Sequence, residues 1–197
     1  MLLSGGEFRD LALTRAILSK RHSYKRRPIT EPATMQAVLD AARRISPEHW
    51  EVVMILYMTG IEVRALAKVT WRDYMPGWLL WKRPNRNETL KIPLDDRDLE
   101  RAVRGYTSRT RKTPDKIDRM VRDVRREAGL DEFPDFSPMT LRVTRAWLML
   151  QEGRSVEAVA RYLSMSPALV REIGGHPSAV HEQAPHALSV RPEPARG

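Results

Sequence analysis

SPEHWEVVMILYMTGIE, residues 46–62, holds the longest uncharged apolar stretch of the chain, Val52 to Ile61. Ser46 offers a hydroxyl cap, Pro47 sits where a missing N–H costs nothing, and Glu48 lies near the positive end of the helix dipole. From Trp50 to Met58 the side chains are almost wholly apolar, which predicts a buried helix. Thr59-Gly60 breaks it, and Glu62 to Lys68 continues for another helical turn or two. At about ten residues the apolar stretch is too short to span a bilayer.

Upstream, Thr30-Glu31-Pro32 starts a helix with Met35, Val38, Leu39 and Ala42 at helical spacing. Phe8 to Lys20 is a further short helix in the sequence pattern. Downstream the period changes. Trp78 to Lys82 and Thr89 to Leu94 read as two strands joined by a turn over Pro84 to Glu88, a β-hairpin. Helices follow over Asp98 to Gly105, Pro114 to Ala128, Pro138 to Gln151, Val156 to Leu163 and Ala168 to Ile173. Ser137, Ser155 and Ser166 cap the last three, and Gly153 stops the first of those. From Gly174 the chain has four prolines and no aromatic residue, so it is expected to be disordered. The pattern divides the chain into a basic arm (1–29), a mainly α domain with a small β-hairpin (30–173) and a tail (174–197). Trp50, Trp71 and Trp147 sit among apolar neighbours and are expected in the core. Trp78 and Trp81 lie on opposite faces of one strand, with one of them exposed.

The 34 Lys and Arg exceed the 25 Asp and Glu, for a net charge of +9. The excess is not spread evenly. Residues 1–30 carry seven basic and two acidic groups, and 101–128 carry ten and four. The remaining segments are neutral or slightly acidic, and Lys20 to Arg27 (KRHSYKRR) is the densest basic run. A clustered excess neutralises phosphates, whereas a scattered one mostly sets solubility. Lys20, Arg21, Lys25, Arg26, Arg27, Arg109, Arg111 and Lys112 are therefore the expected DNA-phosphate contacts.

With no cysteine, disulfide scaffolds, thiolate metal sites and cysteine nucleophiles are excluded. There is no Gly-rich phosphate loop and no HExxH; His181 and His186 have the wrong spacing, with Pro185 between them. No metal or cofactor is implied. The N-terminus lacks a basic start followed by an apolar stretch, so no signal peptide is expected. The expectation is a cytoplasmic protein with no membrane contact.

From Arg27 to His176 the order of motifs resembles the catalytic domain of the tyrosine recombinases, the phage-integrase family. The resemblance rests on Lys25-Arg26-Arg27-Pro28-Ile29-Thr30, on Met54 to Ile61 with its Thr59-Gly60, and on Leu66 followed by Val69-Thr70-Trp71-Arg72-Asp73. It rests further on the hairpin ending Ile92-Pro93-Leu94, and on Ser137 to Arg142 followed by a helix ending in Gly153. It implies an α+β fold, mainly helical with a small hairpin. It also implies a DNA substrate cut by a tyrosine that attacks a phosphodiester, with cations around the phosphate oxygens and a proton donor for the leaving oxygen.

Carried over residue by residue, the resemblance fails at the chemistry. The first arginine falls on Glu62. The His-x-x-Arg falls on Met139 and Arg142, so only the arginine is retained. The Leu-Gly-His falls on Leu163-Ser164-Met165, and the nucleophile falls on Gly174. Lys82 or Lys91 matches the lysine general acid. Arg64 is two helical positions past Glu62 and points about 200° around the axis from it. A two-unit charge swing about 4 Å from a phosphate is worth up to ~8 kcal/mol at an effective dielectric near 20. The sequence thus predicts an inactive, integrase-like DNA-binding protein accessory to recombination or integration. Its expected partners are DNA, bound mainly through phosphates, and an intact recombinase or a second copy of itself. The family's upstream DNA-clamping domain is expected to be nearly all missing, because only residues 1–29 precede Thr30.

Two other readings stay open. Residues 155–173 have helix-turn-helix spacing, with Val159, Ala160, Leu163, Val170 and Ile173 inside and Arg171 facing DNA, as in a transcriptional regulator. The chain also fits a protein-interaction relic that does not bind DNA.

Overall fold

The computed structural model describes residues 27–82, 89–130 and 136–175. The order is α1 (Pro32–Ile45), α2 (Pro47–Thr59), α3 (Val63–Leu66), a 3-10 turn (Trp71–Asp73), then β1 (Tyr74–Met75), β2 (Trp78–Lys82) and β3 (Thr89–Pro93). There follow α4 (Arg97–Thr107), α5 (Pro114–Glu127), α6 (Pro138–Gln151), α7 (Val156–Leu163) and α8 (Pro167–Gly174). The fold is mainly helical, with one small antiparallel sheet in the order β1-β2-β3.

Helix α2 is the axle. Its Ser46 cap accepts from the His49 N–H, and residues from Trp50 to Leu56 are all buried. It packs against α1, α4, α5 and α6, so an apolar surface all round is what its position requires. Gly60 ends it in the left-handed region at φ 64°, where a β-carbon would also come within 2.5 Å of Leu163 Cδ2. Both conditions demand glycine. A second core lies between α6, α7 and α8, built from residues such as Val143, Met149, Val159, Leu163, Val170 and Ile173. The backbone N–H of Ile29 donates to Thr144 Oγ1 at 2.9 Å, which ties the start of the domain to α6.

In the sheet, Leu79 pairs with Ile92 and Trp81 with Leu90. Trp81 is buried, while Trp78 is exposed with Lys91 Nζ 4.6 Å from its ring centroid. Trp50 and Trp147 are in the core, as expected.

Four sequence expectations need correction. Trp71 is 67% exposed: the capping box between Thr70 and Asp73 closes a 3-10 turn that swings the ring outward. Gly105 does not end its helix, which runs to Thr107. It is instead a close-approach position, as shown below. Gly174 lies inside α8 rather than at the head of a disordered tail. The sheet also has a third strand, β1, too short at two residues to leave a periodic signal. The expected helix over Phe8 to Lys20, the turn over Pro84 to Glu88, and the tail over 176–197 lie outside the described residues.

Candidate functional site

The turn after α2 sets the site. Thr59 Oγ1 donates to the Ile55 carbonyl at 2.6 Å and accepts from the Ile61 N–H at 3.1 Å. With Gly60, this reverses the chain and presents Glu62 at the start of α3. Facing it, the capping box of Ser137 and Thr140 starts α6 and holds Arg142 one turn in. Arg142 Nη2 lies 3.0 Å from Glu62 Oε1. The same nitrogen donates to the Leu163 carbonyl at the end of α7. Arg142 is only 12% exposed, and its Nε is buried without a hydrogen-bond partner among the described residues.

Glu62, Met139 and Arg142 line one cleft of about 270 Å³, together with Asp118 and Ser137. Among the described residues its ionic balance is one cation against two carboxylates. A phosphate entering there meets an arginine already neutralised and a second acid beside it, so the cleft disfavours anions. Among the described residues no tyrosine lines it, and neither Lys82 nor Lys91 does.

The other positions singled out by sequence do not converge on this cleft. Lys82 and Lys91 are exposed on the outer face of the hairpin. Met165 packs into the α6–α8 core. Gly174 stands against Leu150, whose Cδ1 would be 3.1 Å from an added β-carbon. Leu150 is eight residues past Arg142 on α6, about 12 Å along the helix axis.

The basic stretch after α4 divides sharply. Arg109 makes three hydrogen bonds of 3.1–3.3 Å to the carboxylate of Glu51. Glu51 is 4% exposed and lies against Gly105, where a β-carbon would fall 2.3 Å from its Oε1. The hydrogen bonds to Glu51, and then its charge, raise the Arg109 pKa further above its ordinary value. Lys112 is 3% exposed, its ammonium 4.5 Å from the Tyr106 ring centroid, and burial lowers its pKa despite Glu48 and Glu51 nearby. The expectation that Lys112 meets a phosphate is thus corrected: its charge is packed inside. Arg111 is exposed, with Nε donating to the Ala67 carbonyl at 2.7 Å. Arg27 is exposed at the start of the described chain, whereas Lys20, Arg21, Lys25 and Arg26 lie outside it.

Helices α7 and α8 do pack as a pair around Ser164, which takes the left-handed conformation at φ 54°. Arg171 is exposed and 3.8 Å from Glu157. Among the described residues no cluster of His, Asp and Glu could hold a metal ion, and no helix is long and apolar enough to cross a membrane.

This architecture, with Thr59-Gly60 at the end of a buried helix, a three-stranded sheet and a helical second half, is the fold of a tyrosine-recombinase catalytic domain. The XerA recombinase superposes with a TM-score of 0.64 at 19% identity, covering 79% of this chain and 62% of that one. The XerH site-specific recombinase bound to its difH substrate gives 0.62 at 15% identity, over 81% and 53%. The lambda integrase catalytic core gives 0.52 at 17% identity, over 70% and 91%. This chain therefore spans about three-fifths of XerA and nearly all of the isolated lambda core. No protein-family model and no curated protein matches the sequence.

Proposed function

We propose that this chain is a non-cleaving DNA-binding protein built on the recombinase fold and accessory to DNA recombination or integration. The observation that carries this reading is the 3.0 Å ion pair between Glu62 and Arg142. The resemblance assigns both positions to arginines that would clamp a phosphate. Here one of them is an acid, and it consumes the charge of the other. Strand cleavage needs net positive charge where the transition state becomes more anionic, and the cleft supplies the reverse. Gly174, at the position of the nucleophile, has no attacking group.

DNA association is supported by the clustered basic charge and by the company the fold keeps. XerH was solved on its difH substrate, and lambda integrase as a dimer on a core site and as a tetramer on a Holliday junction. Without a working phosphate clamp, affinity comes mostly from counterion release. It falls steeply with salt, with a log–log slope of about 0.9 per phosphate neutralised. Pairing with an intact recombinase, or with a second copy, is the accessory role this implies.

Nicked suicide duplexes carrying flanking genomic DNA test the reading. The expected result is a salt-sensitive mobility shift with no covalent protein–DNA adduct on denaturing gels. An adduct would overturn the non-cleaving assignment, and no shift at 50 mM salt would overturn DNA binding.

A further inference from the structure

Beside the neutralised cleft lies a second one with the opposite electrostatics. It has a volume of about 430 Å³ and is lined by Arg64, Lys68, Arg111, Lys112, Thr113 and Pro114. Among the described residues no carboxylate lines it. The two clefts share their walls: Val63 and Asp118 face one, while Arg64 and Pro114 face the other. They therefore flank the packing of α3 on α5.

We infer that this second cleft is a phosphate-binding site, in which Arg64, Lys68 and Arg111 hold a phosphoryl group against the first turn of α5. Arg111 is the fixed element. Its Nε is spent on the Ala67 carbonyl, which locks the guanidinium plane and leaves the two terminal nitrogens for a ligand. Arg64, on α3, and Lys68, in the turn that follows it, are both exposed and line the same cleft.

Behind them stands Lys112, more than nine-tenths buried, its ammonium without a hydrogen-bond acceptor among the described residues. The Tyr106 ring stabilises it on one side, but a buried cation with no acceptor remains costly unless something more offsets it. Glu48 and Glu51 do so in part, and an anion in the adjoining cleft would add to them. Thr113 caps α5 through the Lys116 N–H, placing the positive end of a 14-residue helix at the same spot.

The ligand is read from this geometry. Three cations approaching from different directions suit a tetrahedral oxyanion with several free oxygens. A planar carboxylate is satisfied by one fork. The phosphoryl group could belong to a DNA backbone or to a free phosphorylated molecule. The cleft stands on its own geometry, and only the assignment to DNA rests on the function proposed above.

Inorganic phosphate is the probe. It is titrated into the ¹⁵N-labelled full chain at constant ionic strength, with acetate as the control anion. Phosphate is expected to shift the amides of Thr113, Asp115 and Lys116, acetate much less. The double variant Arg64→Ala/Lys68→Ala should lose the effect. Both positions are exposed, so a thermal melt should be unchanged. Shifts absent, equal with acetate, or surviving in the double variant would overturn the site.

Duplex binding by the same variant identifies the source, with Arg101→Ala/Arg104→Ala as the charge-matched control. A DNA affinity loss beyond the control, with the salt slope lower by about 0.9 per lost contact, assigns the phosphate to the DNA backbone. Phosphate shifts with DNA affinity no lower than the control assign it to a free phosphorylated ligand. Both results support the cleft, and neither depends on whether the protein cleaves DNA.

Discussion

Helix α2 carries a glutamate–arginine pair toward each end, and the two pairs do opposite jobs. Glu51 and Arg109, at the N-terminal half, are joined by three hydrogen bonds. The carboxylate is buried and wedged against Gly105, where there is no room for a single methyl group. Glu62 and Arg142, just past the C-terminal end, share one close contact at the rim of a cleft, with Glu62 28% exposed. The first pair is part of the fold: α4 can approach α2 only because Gly105 yields to Glu51. The second is a surface occupied from within, so its removal should change binding far more than stability. The same two residue types differ in consequence because burial and the number of fixed partners differ.

The largest effect is expected at the first pair. Gly105→Ala drives a β-carbon into a carboxylate that Arg109 holds in place, and should cost about 3 kcal/mol in chemical denaturation. Glu51→Ala alone should cost a similar amount, about 2–3 kcal/mol, because the partly exposed Arg109 recovers some hydration. The double variant is the sharper measurement. Removing the carboxylate removes what the methyl strikes, so Glu51→Ala/Gly105→Ala should be no less stable than Gly105→Ala. Additive losses would mean that the two residues do not constrain each other.

At the second pair the expected effect moves from stability to affinity. Glu62→Gln keeps the shape of the side chain and releases the charge of Arg142. Duplex DNA should bind about tenfold tighter at low salt, ~1.4 kcal/mol, with a smaller loss of thermal stability than Glu51→Ala, because Arg142 keeps the Leu163 carbonyl. Arg142→Ala in the Glu62→Gln background should return affinity to the starting level. If Glu62→Gln leaves affinity where it was, the pair does not mask a phosphate site, and the comparison loses half its meaning.

What could be read from the sequence follows the range of the interactions involved. Caps act over three residues, so Ser46, Ser155 and Ser166 marked helices whose bounds the structure places within a residue or two. The alternation of β2 likewise separated buried Trp81 from exposed Trp78. The helix predicted over Asp98 to Gly105 falls two residues short of Thr107, and the close approach at Gly105 was not legible because its cause, Glu51, lies 54 residues away. Trp71 was misread because apolar neighbours in sequence are not neighbours in space. At the site, the replacement of an expected arginine by Glu62 was legible. That this acid is paired with Arg142, 80 positions on, was not. Nor was the division of Arg109, Arg111 and Lys112 among a buried pair, an exposed cleft and the core. A charge count registers these three alike, and only the packing of α4 and α5 separates them.

The smallest expected effect tests whether the two ends of α2 are independent. His49 lies at the structural end, with Nδ1 2.8 Å from Ser46 Oγ and Nε2 3.9 Å from Asp123. Burial lowers its pKa below the ordinary 6.5, against the opposing pull of Asp123 and Glu48. Below that ordinary value, the unfolded chain therefore takes up a proton that the folded chain refuses. Stability contributed here is complete above pH 6.5. It declines as the pH falls toward the lowered folded value, and changes no further once both states are protonated. A melting temperature that falls on acidification through this window, and falls less in His49→Gln, is the expected result. The affinity gained in Glu62→Gln should carry no trace of the same titration, because His49 sits at the opposite end of a 13-residue helix, about 15 Å along the axis from Thr59, where the Glu62 turn begins. A histidine-like step in that gain that vanishes in His49→Gln would show that the structural end of α2 feeds into the Glu62 turn.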